Sequence, residues 1–165
     1  MFPGGTVLAF SLDMTPNGKT IVGQSGIFPF SNGFVLEMGG LDKYGSDAGG
    51  ANVFDLSASG SNKIGNMLTL TTTNIPVATT QCITIVSAAP AELATLGGTF
   101  LVDLTQSLKP LFVEPAAGGS SSFSVTVPND PGIVGLVAYV QSIANDPSQS
   151  KGFAFSNGLR VVVCD

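Results

Sequence analysis

Hydrophobic and polar residues alternate along most of this chain, in short runs separated by turn-forming residues. The clearest run, residues 122–127 (SFSVTV), places Phe123, Val125 and Val127 on one face and serine and threonine on the other. A period of two residues is the spacing of a β-strand with one buried face. Further strand-like runs occupy residues 66–73, 80–87, 99–104, 111–113, 136–143 and 153–163. The pattern therefore predicts strands throughout the main body of the chain.

The first forty residues contain three more strand-like segments. Residues 6–12 and 19–24 flank MTPNGK, whose proline, asparagine and glycine favour a tight turn, so the two segments should pair as a hairpin. A third strand is predicted over residues 33–38, after an Asn32-Gly33 turn. The glycine-rich segment 39–50 (GGLDKYGSDAGG) reads as a loop. We therefore expect an N-terminal meander over residues 1–40 and a main domain over residues 51–165.

Helix is predicted at two short places only. Residues 88–96 (AAPAELATL) have a helix-forming composition that suffices for a turn or two. Near the C-terminus, Asn-Asp-Pro occurs twice around an apolar segment, and Asp130 followed by Pro131 is a favourable helix start. Gly132 and Gly135 would each cost about 1 kcal/mol inside a helix. We predict one helical turn over residues 131–134, then a strand that the second Asn-Asp-Pro ends. A hairpin around Ser156-Asn157-Gly158, or a single strand, should complete the chain.

These elements predict an all-β fold, an antiparallel two-sheet β-sandwich of seven to ten strands with Greek-key connections, preceded by the strand meander. The chain has 165 residues, enough for one such domain with a substantial core. Apolar residues make up 44% and charged residues 10%, a balance that favours folding over disorder.

Charge and residue usage restrict the function. The net charge is −5, with six basic residues and no basic cluster, so nucleic acid and anionic membrane surfaces are poor partners. The apolar runs are too short to cross a bilayer, and the first residues lack the basic start of a signal peptide. Histidine is absent, which removes the commonest general base and metal ligand. We expect a non-catalytic protein without a cofactor.

Two cysteines, Cys82 and Cys164, lie in strand-like contexts. A reactive thiol or soft-metal site lacks a partner residue and a motif. Two free core thiols are a second alternative. We favour a disulfide, which would stabilise by about 4 to 5 kcal/mol for a loop of this length and would indicate an oxidising compartment.

Three aspartates, Asp42, Asp47 and Asp55, fall in or beside the glycine-rich loop. Carboxylate oxygens bind calcium when several converge on one point, but the spacing matches no calcium motif. We therefore treat these residues as weak metal candidates and favour a solvated acidic loop. Sugar binding would need flat aromatic faces, and the chain has two tyrosines and no tryptophan.

Residues 97–163 resemble the C-terminal β-sandwich domains of large extracellular proteins from planctomycetes and related bacteria. The shared features are a Gly-Ser turn, an alternating strand, a P-N-D-P turn, a strand with Tyr and Gln, a proline turn and a final S-N strand. The matching residues are Gly118, Gly119, 122–127, 128–135, Tyr139, Gln141, Asp146, Pro147 and 156–161, with Gly158 replacing the usual alanine. The resemblance implies an extracellular or cell-surface, non-catalytic module, and it supplies no catalytic or ligand residues.

A weaker resemblance covers residues 11–41, which are similar to short extracellular β-repeats of propeller-like proteins. One such repeat needs a neighbour to cover it. We therefore expect a structural protein that associates with copies of itself or with neighbouring surface domains, in an appendage, fibre or layer, with the meander as a candidate assembly element. A carbohydrate- or surface-ligand-binding module for adhesion is the alternative.

Overall fold

The fold is all-β and antiparallel. A computed structural model describes residues 8–14, 20–27, 30–37, 40–45, 54–76, 78–95, 98–106, 111–147, 149 and 151–165. The chain divides into two compact units, residues 1–39 and residues 40–165. None of the described helical segments is long and apolar enough to cross a membrane.

The N-terminal unit is a three-stranded meander. Its strands are β1 (Leu8–Met14), β2 (Thr20–Ile27) and β3 (Phe30–Glu37), in the order β1-β2-β3. The predicted hairpin and third strand are confirmed, while the turn at residues 15–19 lies outside the described residues. The predicted Asn32-Gly33 turn is wrong, because Asn32 pairs with Ser25 and Gly33 with Gln24 inside β3. An eight-residue ladder has overridden the local turn preference.

The second unit contains ten strands in its described residues. In chain order they are β4 (Leu41–Tyr44), β5 (Asp55–Gly60), β6 (Met67–Thr73), β7 (Gln81–Ser87), β8 (Pro90–Thr95), β9 (Gly98–Val102), β10 (Phe112–Pro115), β11 (Ser120–Thr126), β12 (Val137–Asn145) and β13 (Phe153–Val162). Five of them form the long sheet, in the order β10-β7-β12-β13-β4, and three form the short sheet, β11-β6-β5. The hairpin β8-β9 makes a third layer.

The main core lies between the short and long sheets, as expected of a β-sandwich. Leu68 and Leu70 of β6 are buried against Val140 of β12 and Leu159 of β13. The face predicted for residues 123, 125 and 127 is confirmed, since all three pack on this core. The alternation of apolar and polar residues in the sequence therefore predicted correctly which face of β11 is buried.

A smaller core lies on the opposite face of the long sheet, under the β8-β9 hairpin. Phe100 and Val102 of β9 pack with Ile85, Ile143 and Phe155. The rings of Phe100 and Phe155 meet edge to face, with centroids 5.0 Å apart. The central strands of the long sheet are consequently buried on both faces, which explains why β7 carries Ile85 as well as Cys82 in the interior.

Two predictions of local structure are wrong because strand pairing outweighs composition. Residues 88–96 were expected to be helical, but β8 pairs with β9, Ala94 facing Thr99. Helix propensity is a weak preference that tertiary contacts override. Residues 39–50 were expected to be a loop, but β4 pairs with β13, Tyr44 facing Gly158.

The C-terminal segment follows the prediction more closely. A single 3-10 turn spans Pro131–Ile133, and the Asp130 carboxylate caps it by accepting from the Gly132 N–H at 2.8 Å. Strand β12 follows as predicted. The Ser156-Asn157-Gly158 segment forms no turn: it is a bulge inside β13, in which Ser156 and Asn157 together oppose Ser142. The alternative of one continuous final strand is thus confirmed.

Candidate functional site: an apolar groove on one side of the sandwich

The two long sides of the sandwich differ, and the side formed by β4 and β5 is closed by charged residues. The Lys43 ammonium lies 2.6 Å from the Asp55 carboxylate, linking the two edge strands. On the same side, a guanidinium nitrogen of Arg160 lies 3.6 Å from an Asp42 oxygen. Charged side chains on edge strands oppose the addition of a further strand. We call this the charged side.

The opposite side, formed by β10 and β11, is apolar and partly open. A groove of about 410 Å³ lies between the two sheets here, lined by apolar side chains and by Thr126. Phe112 of β10 stacks on Phe123 of β11 with ring centroids 4.4 Å apart. Val125 and Leu136 also line the groove, and Leu136 is 46% exposed. We call this the open side.

Strand β10 also carries apolar residues on the outer face of the long sheet. Val113 pairs with Ile83 of β7, and the two side chains are 54% and 37% exposed. Leu111, just before β10, is 57% exposed. Glu114 is the one ionisable residue in β10 and β11 together. Apolar surface therefore lies on both faces of the β10 edge, which is typical of a protein contact surface.

The backbone of β11 leaves one edge unpaired. The Val127 N–H donates to the Asn66 carbonyl, and the Val127 carbonyl accepts from the Gly65 N–H, so Val127 is directed toward β6 and its extension. Backbone groups alternate in direction along a strand, so those of Ser122, Ser124 and Thr126 point away from β6. The 2.7 Å contact between the hydroxyls of Thr69 and Ser124 agrees, because side chains approach closest at pairs that exchange no backbone hydrogen bonds.

Buried hydroxyls and a thiol meet between the sheets, but their surroundings do not activate them. The Ser142 hydroxyl lies 2.9 Å from that of Thr72 and 3.0 Å from that of Thr84. Burial raises the pKa of the nearby Cys82 thiol, although hydrogen bonds with Thr72 and Ser142 act in the other direction. A thiol in this environment stays protonated and weakly nucleophilic. The cluster thus satisfies buried polar groups.

The predicted disulfide between Cys82 and Cys164 is wrong, since both thiols are free. Cys82 pairs with Ala144, which pairs with Ala154 at the start of β13, whereas Cys164 follows the end of that strand. The segment from Ala154 to Cys164 spans about 30 Å of extended chain. A disulfide needs Cα atoms within about 7 Å of each other. Strand-like context alone could not reveal that the cysteines lie at opposite ends of the sheet.

The weak metal candidates do not converge in the described residues. Asp42 and Asp55 lie on different strands, and each has a basic partner. Asp47 lies outside the described residues. Where the chain is described, no three acidic, cysteine or histidine residues are close enough to hold a metal ion.

A second, smaller cleft of about 250 Å³ lies beside Tyr44, Glu92 and Thr99. The Tyr44 ring is not a free platform, because it packs edge to face on Tyr139 with centroids 5.8 Å apart. Its hydroxyl donates to the Leu101 carbonyl, and burial, reinforced by Tyr139, raises the pKa of Tyr44 to about 12. Tyr44 therefore fastens β4 to β9.

Comparison with known proteins identifies no relative: no protein-family model, no curated protein and no solved structure matches this chain. The resemblance to extracellular sandwich domains accordingly stays a prediction. Sequence reasoning also missed the groove, whose walls come from six strands and from the segments that follow β11 and β13. The signal that was available is the run SSSFSVT in β11, which has no charged residue to protect an edge.

Proposed function

We propose that this protein is a non-catalytic structural subunit that associates with copies of itself through the open side of its sandwich. The observation that supports this most is the contrast between the two sides. Ion pairs occupy the charged side, whereas the open side combines an unpaired strand edge, an apolar groove and exposed apolar residues. Such an edge is a template for pairing with another chain.

An extended segment satisfies this surface better than a small molecule does. The groove provides apolar contacts, and the neighbouring β11 edge provides backbone donors and acceptors in a straight row. A strand that lies along this edge uses both, because its backbone pairs with β11 while alternate side chains enter the groove. A small apolar ligand would fill the groove but leave the backbone groups unused.

We extend the proposal to location and assembly. An appendage, fibre or layer at the cell surface agrees with the low charge and with the resemblance in residues 97–163. The free cysteines remove the disulfide as an argument for an oxidising compartment, so the extracellular location now depends on that resemblance. The N-terminal meander as an assembly element stays a prediction.

A matched pair of charge substitutions tests the proposal. Leu136→Lys puts a charge at the mouth of the groove, and Ser59→Lys puts the same charge on the exposed face of β5, at the charged side. We expect sedimentation velocity to show that Leu136→Lys lowers self-association and Ser59→Lys does not. Equal behaviour of the two variants would contradict the assignment of the open side.

Binding of an apolar dye is a competing outcome of the same experiment. If the native protein is monomeric and binds a solvatochromic dye that Leu136→Lys releases, the groove is a small-molecule site and the structural proposal is wrong. An introduced charge at the groove would weaken the binding of an apolar dye whether the groove is a small-molecule site or an association surface. The oligomeric state of the native protein therefore decides between these two functions.

A further inference from the structure

The unpaired edge of β11 is short and chemically uniform. Its outward backbone groups belong to Ser122, Ser124 and Thr126, and in the described part of the chain none of these groups has a partner. The preceding outward position, Ser120, is already occupied, because it exchanges two backbone hydrogen bonds with Ala117. The free edge is therefore limited to three successive outward residues at the C-terminal part of β11.

Three such residues are complementary to themselves in an antiparallel arrangement. If Ser124 of one copy faces Ser124 of another, Ser122 of each copy faces Thr126 of the other. All three positions are then hydrogen-bonded pairs, which gives about six backbone hydrogen bonds. Moving the centre to Phe123 would place Thr126 opposite the occupied Ser120. Moving it to Val125 would leave Ser122 without a free outward residue opposite it. The register centred on Ser124 thus satisfies the most backbone groups.

The side chains agree with this register on both faces. The outer face would bring together only serine and threonine, so no charges of like sign would meet. On the inner face, Phe123 of each copy would lie opposite Val125 of the other, an aromatic and β-branched combination that stabilises cross-strand pairs. Both residues line the groove, so the second copy would extend the apolar wall where the groove is open.

We infer that β11 pairs antiparallel with β11 of a second copy, with Ser124 on the two-fold axis. This inference depends on the proposed self-association and names the contact that produces it. The pairing would join the three-stranded short sheets of two copies into one continuous six-stranded sheet. A two-fold contact of this kind uses the same patch on both subunits and is closed, so a fibre or layer would need a second contact.

Cysteine cross-linking tests the pairing in the full-length chain. The background carries Cys82→Ala and Cys164→Ser, so that the introduced thiol is the one reactive group. Ser124→Cys would place two thiols across the axis, with Cα atoms about 5.5 Å apart, within the range of a disulfide. Ser59→Cys is the matched control, because Ser59 and Ser124 flank Thr69 in one cross-strand row at opposite edges of the same sheet.

We expect mild oxidation to convert most of the Ser124→Cys protein to a covalent dimer and to leave Ser59→Cys monomeric on a non-reducing gel. The register has its own test: Ser122→Cys and Thr126→Cys should cross-link to each other when mixed, as intact mass would show, and each much less with itself. Cross-linking of Ser122→Cys with itself as efficiently as with Thr126→Cys would overturn the register centred on Ser124.

The outcomes separate this inference from the function on which it depends. If the native protein self-associates and Leu136→Lys weakens this, but Ser124→Cys forms no covalent dimer, the β11 pairing is wrong and the proposed function stands through another part of the open side. If the native protein is monomeric at every concentration, both are wrong. Circular dichroism of each variant, which should match that of the background protein, excludes unfolding as the cause of a missing cross-link.

Discussion

Replacing Gln141 with leucine should strongly destabilise the second unit. Gln141 lies on β12 and is fully buried beneath the β8-β9 hairpin. Its side-chain carbonyl accepts from the Leu101 N–H at 2.9 Å, and its amide donates to the carbonyls of Thr99 and Ser156, each also at 2.9 Å. One side chain therefore ties the hairpin to the long sheet and supports the bulge in β13.

The magnitude follows from the three backbone groups that lose a partner. A buried group left without its hydrogen bond costs about 1 to 3 kcal/mol, and carbonyls that keep another bond fall at the low end. The added apolar surface of leucine offsets about 1 to 2 kcal/mol. The net loss is about 3 kcal/mol, which lowers a urea midpoint by about 1.5 M at a slope of about 2 kcal/mol per molar.

Urea unfolding followed by far-ultraviolet circular dichroism measures this shift, and Gln81→Leu provides the matched control. Gln81 is an exposed glutamine on the neighbouring strand β7, and an exposed substitution of this kind should change stability by no more than about 0.5 kcal/mol. A midpoint for Gln141→Leu within about 0.5 M of the native value would refute the view that this side chain holds the hairpin layer in place.

Three further predictions concern other parts of the second unit. In native protein without reductant, a thiol-alkylating reagent should label Cys164, and it should label the buried Cys82 only after unfolding. Intact mass reports the number of labels. An unfolded, unreduced protein in which neither cysteine is labelled would contradict the free thiols. Because burial raises the pKa of Tyr44 to about 12, the folded state holds this proton more tightly than the unfolded state does, so stability should fall as pH rises from about 10 to 12. Tyr44→Phe should remove that part of the decline in a urea titration, and an unchanged decline would assign it to another group. Gly158→Ala should cost about 1 to 3 kcal/mol, because its Cβ would lie 2.4 Å from the Tyr44 ring, and a neutral effect would show that the ring moves freely.

The sequence predicted those elements whose signal is local. The alternation in β11 identified its buried face, and Asp130 with Pro131 identified the 3-10 turn, because capping and periodicity are properties of neighbouring residues. Strand β4 was missed because it exists through pairing with the distant strand β13, and β8 was missed although its partner β9 is the next strand along the chain. In isolation, the glycine-rich segment around β4 favours a loop, and the alanine-rich composition of β8 favours a helix.

The bulge in β13 shows how turn chemistry can mislead. Ser156, Asn157 and Gly158 would suit a turn, yet Asn157 bonds the backbone of Leu56 in the other sheet through both its carbonyl and its amide. Gly158 is needed because the Tyr44 ring lies over it. Residues of this kind are used wherever a backbone departs from regular geometry, and only the partner strands distinguish a turn from a bulge.

The candidate site was less predictable than the fold. A groove between two sheets depends on which strands end at which edge, and strand order was not deducible from alternation. The free edge of β11 needed one further fact, the direction of the Val127 backbone bonds, which fixes the direction of every other residue in the strand. The contrast with the charged side likewise appears only when Lys43 and Asp55 are brought together.

Sedimentation velocity of the native full-length chain over a wide concentration series is the most direct test of self-association through the open side. We expect a weight-average sedimentation coefficient that rises with concentration, and a smaller rise for Leu136→Lys than for Ser59→Lys. A single species with the mass of one chain, 16.7 kDa, at every concentration would contradict it.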